Sequence, residues 1–210
     1  MVKNKPLLRS TPIKEKVSAK LILKMLEEAE EKNIMLNSIM IIRDGKVITE
    51  GYYKPYSECI ERSMHSATKS FTATAIGLLI DEGRLKLEDT VMSFFPEYAP
   101  ENPCDNLKKM NVWHLLTMTC GHDSVKQFLN HPVPYVPGTH FQYSSMASYM
   151  LTAIIRKVTG QNMTRYLRTR IFEPLGIYDA YCDTCPMGIE YGGGGLFLRT
   201  EDLAKLAVLY

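Results

Sequence analysis

Two side chains in the stretch MHSATKSFTATAIGLLIDEG, Met64 to Gly83, have the types and spacing of a reactive pair. Ser66 stands three positions before Lys69. Apolar Phe71, Ala75, Leu78 and Leu79 follow at helical spacing, and Gly83 is placed to stop the helix. On a helix of about 3.6 residues per turn, positions three apart share a face, so Lys69 lies one turn from Ser66. A serine hydroxyl is a poor nucleophile until a base takes its proton. A lysine can be that base when burial or neighbouring cations lower its pKa. A serine at a helix N-terminus gains further, because the free N–H groups and the dipole there favour negative charge. The same two residues also fit a cap serine and a solvated lysine, a pairing that chance supplies readily. A second cluster, Tyr143-Ser144-Ser145, stands just before another helical pattern, which Gly160 would end. A tyrosine at a helix mouth relays protons when a nearby lysine draws its pKa down from about 10. Most tyrosines are half-buried aromatics without such a role.

Other chemistry-bearing residues offer less. Cys182 and Cys185 have the spacing of half a zinc site or a redox pair, but no second pair lies nearby and no βαβ pattern precedes them. The histidines (His65, His114, His122, His131 and His140) contain no i, i+4 pair for a helical metal site. Asp123 follows His122, yet an Asp-His-Ser triad needs those groups to meet in space. Asp81-Glu82 ends a helix and reads as solvated. The glycine run Gly192 to Gly195 is followed by no lysine-serine or lysine-threonine, so it is not a phosphate loop and reads as flexible backbone. The methionines read as core filler.

The elements that must position these groups are partly legible. Val17 to Lys32 places Leu21, Met25 and Ala29 on one helical face. SIMIIRDGKVITEGYY predicts two strands joined at Asp44-Gly45. From Met64 to about Thr184 the pattern is helices and loops, and after the glycines a helix opens around Thr200 to Asp202. The reading divides the chain into residues 1–58, the start of a sheet domain; 59–188, a mainly helical domain; and 189–210, an incomplete return. A lone hairpin is marginal in water, and the last helical pattern reaches Tyr210 with no stop signal. Both features lead to the expectation of a chain cut short. A net charge of +2 with no dense basic block argues against nucleic acid. No run of about 18 apolar residues exists to span a membrane. The basic start is followed by no apolar run of signal-peptide length, and an odd number of cysteines, five, does not suit a disulfide framework. A cytoplasmic location is therefore expected.

The segments SATKSFTATAIGLLIDEGRLKLEDTV, VWHLLTMTCGHD, YVPGTHFQYSS, TGQNMTRYLRTRIFEPLGI and GGGGLFLRTEDLAKLAVLY run in one order over about two-thirds of the chain. In that order they resemble the serine hydrolases related to class C β-lactamases, penicillin-binding DD-peptidases and the esterases of the same fold. Ser-x-x-Lys is a known signature of penicillin-recognising enzymes. The resemblance implies an α/β (α+β) fold: an antiparallel sheet flanked by helices, with a large helical insert and the C-terminal strands absent. It implies that Ser66 is acylated, that Lys69 serves as base or electrostatic partner, and that Tyr143 passes protons to the leaving group and from water. The backbone N–H of Ser66 would form one arm of an oxyanion hole. Substrates would be small esters, amides or β-lactam-like molecules, with no metal or organic cofactor, no nucleic acid and no membrane.

Three departures stand out. Ser145 replaces the asparagine that usually contacts the substrate amide, and a hydroxyl cannot present both donor and acceptor as an amide does, which favours an ester. Cys120 stands where relatives commonly have serine. The family's Lys-Thr-Gly or His-x-Gly strand is not found; KVTG, Lys157 to Gly160, closes a helix and comes too early. Two other readings stay open: a non-catalytic module or inactive fragment that binds a ligand in the old cleft, and a cysteine-based metal or redox protein.

Overall fold

A computed structural model describes residues 5–122, 129 and 132–210. Asp123 and His131 lie outside the described residues. The chain forms two compact units, one of Met1–Arg62, Ile171–Ala180 and Phe197–Tyr210, the other of Ser63–Arg170 and Tyr181–Leu196.

The first unit opens with a short strand, β1 (Leu8–Arg9), and a helix, α1 (Ala19–Glu31). The helix starts where Ser18 Oγ accepts the Leu21 N–H at 3.4 Å. Strands β2 (Ser38–Arg43) and β3 (Lys46–Tyr52) form the expected antiparallel hairpin. Asp44 and Gly45 both take positive φ, +48° and +73°, as a tight two-residue hairpin turn demands. The hairpin is not alone. β1 pairs in parallel with β3, making a mixed sheet in the order β1-β3-β2. This third strand escapes a sequence reading because two residues carry no alternation to detect. The unit closes with a helix over Thr200–Leu209, whose Glu201 accepts from the Leu7 N–H and from Arg9, both at 2.6 Å.

The chain enters the second unit through β4 (Arg62–Ser63) and a 3₁₀ turn at His65–Ala67, which runs directly into α2 (Thr68–Asp81). Short helices α3 (Val91–Phe94), α4 (Asp105–Lys109) and α5 (Val112–Leu116) follow, then the long α6 (Ser145–Thr159) and α7 (Met163–Leu167), which winds on as a π turn over Arg168–Phe172. Helices α2 and α6 pack on each other. Phe71, Ala75, Ile76 and Leu79 are buried on α2; Ala147, Leu151, Ile154 and Ile155 are buried on α6. Each large apolar side chain so buried contributes about 1.5–3 kcal/mol. Gly83 and Gly160, at φ +68° and +71°, end the two helices in the left-handed conformation that glycine adopts without strain. Strands β5 (Tyr181–Cys182) and β6 (Leu196–Leu198) complete a second small sheet in the order β4-β6-β5. Helix α8 (Thr200–Leu209) then begins where Asp202 accepts the Arg199 N–H at 3.3 Å. Small sheets with flanking helices, most of them in one unit, give the α+β class that the sequence suggests.

Candidate active site

The site is built from two helix mouths and one turn, all in the second unit. Ser66 is exposed in the 3₁₀ turn that leads into α2, just after His65. His65 has φ +45°, a left-handed value that costs a non-glycine residue energy and that clusters at functional sites. Its N–H donates to Ser63 Oγ at 3.3 Å, and the preceding Met64 N–H donates to the Leu196 carbonyl at 2.8 Å. One turn into α2, Lys69 Nζ donates to Ser66 Oγ at 3.1 Å, to Ser145 Oγ at 3.2 Å and to the Gly193 carbonyl. Tyr143 lies just before α6 and donates its hydroxyl to Ser66 Oγ at 2.7 Å. Lys69 Nζ also lies 4.9 Å from the centre of the Tyr143 ring. The structure thus brings Ser66, Lys69, Tyr143 and Ser145 into one hydrogen-bonded cluster. The hydrogen bond to Ser66, then that with Lys69, draws the Tyr143 phenol below its ordinary pKa.

Sequence reasoning missed how the glycine run takes part. Gly192 to Gly195 is a packed turn. A Cβ on Gly192 would lie 2.2 Å from Thr152 Cγ2, and one on Gly193 would lie 2.7 Å from the Ser145 carbonyl oxygen. At these two positions only hydrogen fits, so Gly192 and Gly193 serve close approach, and the expectation of flexible backbone is corrected. Helix α2 fastens the turn with one row of side chains. Thr68 Oγ1 accepts the Leu196 N–H at 3.2 Å, and Thr72 Oγ1 donates to the Gly192 carbonyl at 2.9 Å. Both threonines are fully buried. The available signal was a pair of threonines at i, i+4 on the face that also carries Phe71 and Ala75.

The other candidates fall into structural places. Glu82 accepts from Arg170 Nε at 2.7 Å, and this bond holds its carboxyl below the usual range. Lys157 of KVTG pairs with Glu97 at 2.7 Å. His140 stacks on Tyr135 with centroids 4.1 Å apart. His114 Nδ1 accepts the Asn111 N–H at 3.1 Å in the capping box that opens α5. His122 is buried. All five cysteines are free thiols, Cys59 and Cys104 exposed, Cys120 buried. Burial pushes the Cys120 and Cys182 thiols up to about 12. Cys185 lies 3.2 Å from the Tyr149 hydroxyl. Among the described residues no group of three or more His, Cys, Asp or Glu could hold a metal ion, and no helix is long and apolar enough to cross a membrane.

Residues 35–209 match the Beta-lactamase family. The chain belongs to that family. It is 29% identical over 164 residues to Protein flp of Staphylococcus aureus, covering 66% of this chain and 33% of that protein. It is 24% identical over 166 residues to a D-aminopeptidase of Brucella anthropi, covering 68% of this chain and 32% of the relative. The chain therefore spans about a third of the length of the curated relatives it matches. The structure of the octameric penicillin-binding protein homologue from Pyrococcus abyssi superposes with a TM-score of 0.70 at 26% identity, over 91% of this chain and 55% of that one. In this β-lactamase-family chain the matched residues include all four members of the cluster.

Proposed function

We propose that the chain is a serine hydrolase that works through an acyl-enzyme on Ser66, with a small ester or amide as substrate. The observation that carries this reading is the hydroxyl of Ser66 held between two proton-handling groups, Lys69 Nζ at 3.1 Å and Tyr143 OH at 2.7 Å. Ser66 Oγ attacks the substrate carbonyl carbon and gives its proton to Tyr143 in the phenolate form, which the Lys69 ammonium beside it favours. The carbonyl oxygen becomes an oxyanion facing the Ser66 N–H, a donor of a kind worth about 3–4 kcal/mol of barrier in other acyl-transfer enzymes. Tyr143 then protonates the leaving oxygen or nitrogen as the carbonyl re-forms. Water loses a proton to Tyr143 and attacks the ester on Ser66, releasing the acid and restoring the serine.

Ser145 supports an ester over an amide. Its hydroxyl accepts from Lys69 at 3.2 Å and is too short to offer a substrate amide both a donor and an acceptor. The likeness to a D-aminopeptidase and to a penicillin-binding protein homologue keeps amides and β-lactams among the substrates to try. In this reading residues 59–188 carry the reacting groups, residues 1–58 begin the sheet domain, and residues 189–210 return to it.

Intact mass after incubation with a reactive fluorophosphonate, and separately with a β-lactam, tests the proposal. An adduct that maps to Ser66 and, at the same incubation time, is lost in Lys69→Ala because labelling has slowed at least about a hundredfold supports it. A chain that takes no adduct from either reagent overturns it.

A further inference from the structure

Met118 follows α5 with φ +55°, a left-handed conformation that methionine rarely takes. Its N–H donates to the Leu115 carbonyl at 3.3 Å, and the two hydrogen bonds it accepts fall on either side of Tyr143. The Met118 carbonyl accepts the Gln142 N–H at 3.0 Å, and its Sδ accepts the Ser144 N–H at 3.4 Å. The neighbouring carbonyls extend the same pairing: Thr119 accepts from Gly138 N–H at 2.9 Å and Gly121 from Tyr135 N–H at 3.1 Å. The left-handed residue is braced from α5, where Thr117 Oγ1 donates to the Trp113 carbonyl at 2.8 Å and meets Thr119 Oγ1 at 2.8 Å.

Tyr143 needs such support. It lies outside α6, its side chain is half-exposed, and burial therefore does little to hold it. The Ser66–Tyr143 hydrogen bond depends on where the backbone delivers the ring. Most methionines fill core gaps; this one is half-buried and spends its sulfur on a backbone donor.

We propose that Met118 is a positioning residue, whose left-handed backbone and thioether together hold Tyr143 with its hydroxyl on Ser66. The inference rests on the acyl-enzyme reading, because the geometry it protects is that of the proton carrier in that reading. Displacing a reacting group by even 1 Å costs about a hundredfold in rate, and loss of one of two tethers should displace it by less.

The test compares Met118→Leu, which keeps the volume and removes the sulfur acceptor, with Met118→Gln, which restores an acceptor at similar reach. The phenol of Tyr143 is titrated by ultraviolet absorbance, with Tyr143→Phe as the blank, and Ser66 labelling by a fluorophosphonate is timed in parallel. The wild-type phenol should titrate below its ordinary value, move back toward about 10 in Met118→Leu, and return partway in Met118→Gln. Labelling should slow about tenfold in the leucine variant. An unmoved phenol titration in Met118→Leu overturns the proposal, even if labelling and melting temperature both fall, since that pattern marks a purely structural role. Should the leucine variant fail to fold, Met118→Gly takes φ +55° without strain and supplies the same contrast. A wild-type chain that is never labelled, with a phenol titration that still moves, would sink the acyl-enzyme reading and leave Met118 as the support of Tyr143.

Discussion

Ser66 and Tyr143 stand at the mouths of two packed helices and are held in opposite ways. Ser66 sits on a turn continuous with α2, which begins without a side-chain cap. Its position follows from the burial of Phe71, Ala75, Ile76 and Leu79 on that helix and from the fastening of the glycine turn by Thr68 and Thr72. Tyr143 lies before its helix. Ser144 caps α6 by accepting the Ala147 N–H at 3.1 Å, and the tyrosine hangs from the extended segment on the other side of that cap. One group is placed by a buried helix face, apolar side chains and two buried threonines together, the other by a few ties nearer the surface. The first should therefore survive single surface changes, and the second should not.

The contrast can be broken most strongly at its centre. Ser66→Ala should abolish fluorophosphonate labelling, and Lys69→Ala should slow it by about 10²–10⁴-fold while leaving the melting temperature nearly unchanged. Tyr143→Phe should cost about 10²-fold by the same measurement. Its effect on pH dependence is the sharper readout. The deprotonated phenol is the base, and its pKa is drawn below the ordinary value. Wild-type labelling should therefore rise with pH through a midpoint under about 10, and the phenylalanine variant should lose that limb.

Next come the glycines. A methyl on Gly193 meets the Ser145 carbonyl oxygen at 2.7 Å, whereas one on Gly194 meets nothing closer than His65 backbone at 3.7 Å. Gly193→Ala should cost about 1–3 kcal/mol of stability by overpacking and slow labelling as well, because the Lys69 acceptor moves. Gly194→Ala should be close to neutral in thermal unfolding. If both behave alike, the turn is not tightly packed at Gly193. The smallest of the expected losses is at Ser144→Ala, which removes the cap of α6 and should cost about 1 kcal/mol in denaturant unfolding, with a smaller effect on labelling than Tyr143→Phe.

What the sequence revealed follows the same division between packing and ties. Helices α1, α2, α6 and α8 and the Asp44-Gly45 hairpin carry their own signals, a repeat of 3.6 or 2, marked in α2 and α6 by a closing glycine and in the hairpin by a turn pair. Ser66 and Lys69 were visible for that reason, one helical turn apart. Strand β1 was not, because its two residues gain strand character only by pairing with β3. The role of Gly193 was not either, since its close approach to Ser145 depends on a contact across nearly fifty residues of chain. Met118 looked like any methionine, and only the positions of Gln142 and Ser144 show what it holds.

The thiols have a use that no chemistry at the site requires. Cys59 belongs to the first compact unit and Cys104 to the second, and these two are the exposed cysteines among the five. Burial raises the pKa of Cys120 and Cys182, which lowers the thiolate fraction of both at neutral pH. Cys185, whose thiol is drawn below its ordinary value, competes for reagents and would be replaced by serine. With that one replacement the chain offers one exposed labelling point per unit, Cys59 and Cys104, for a dye or spin-label pair that reports whether the two halves move when a substrate is bound.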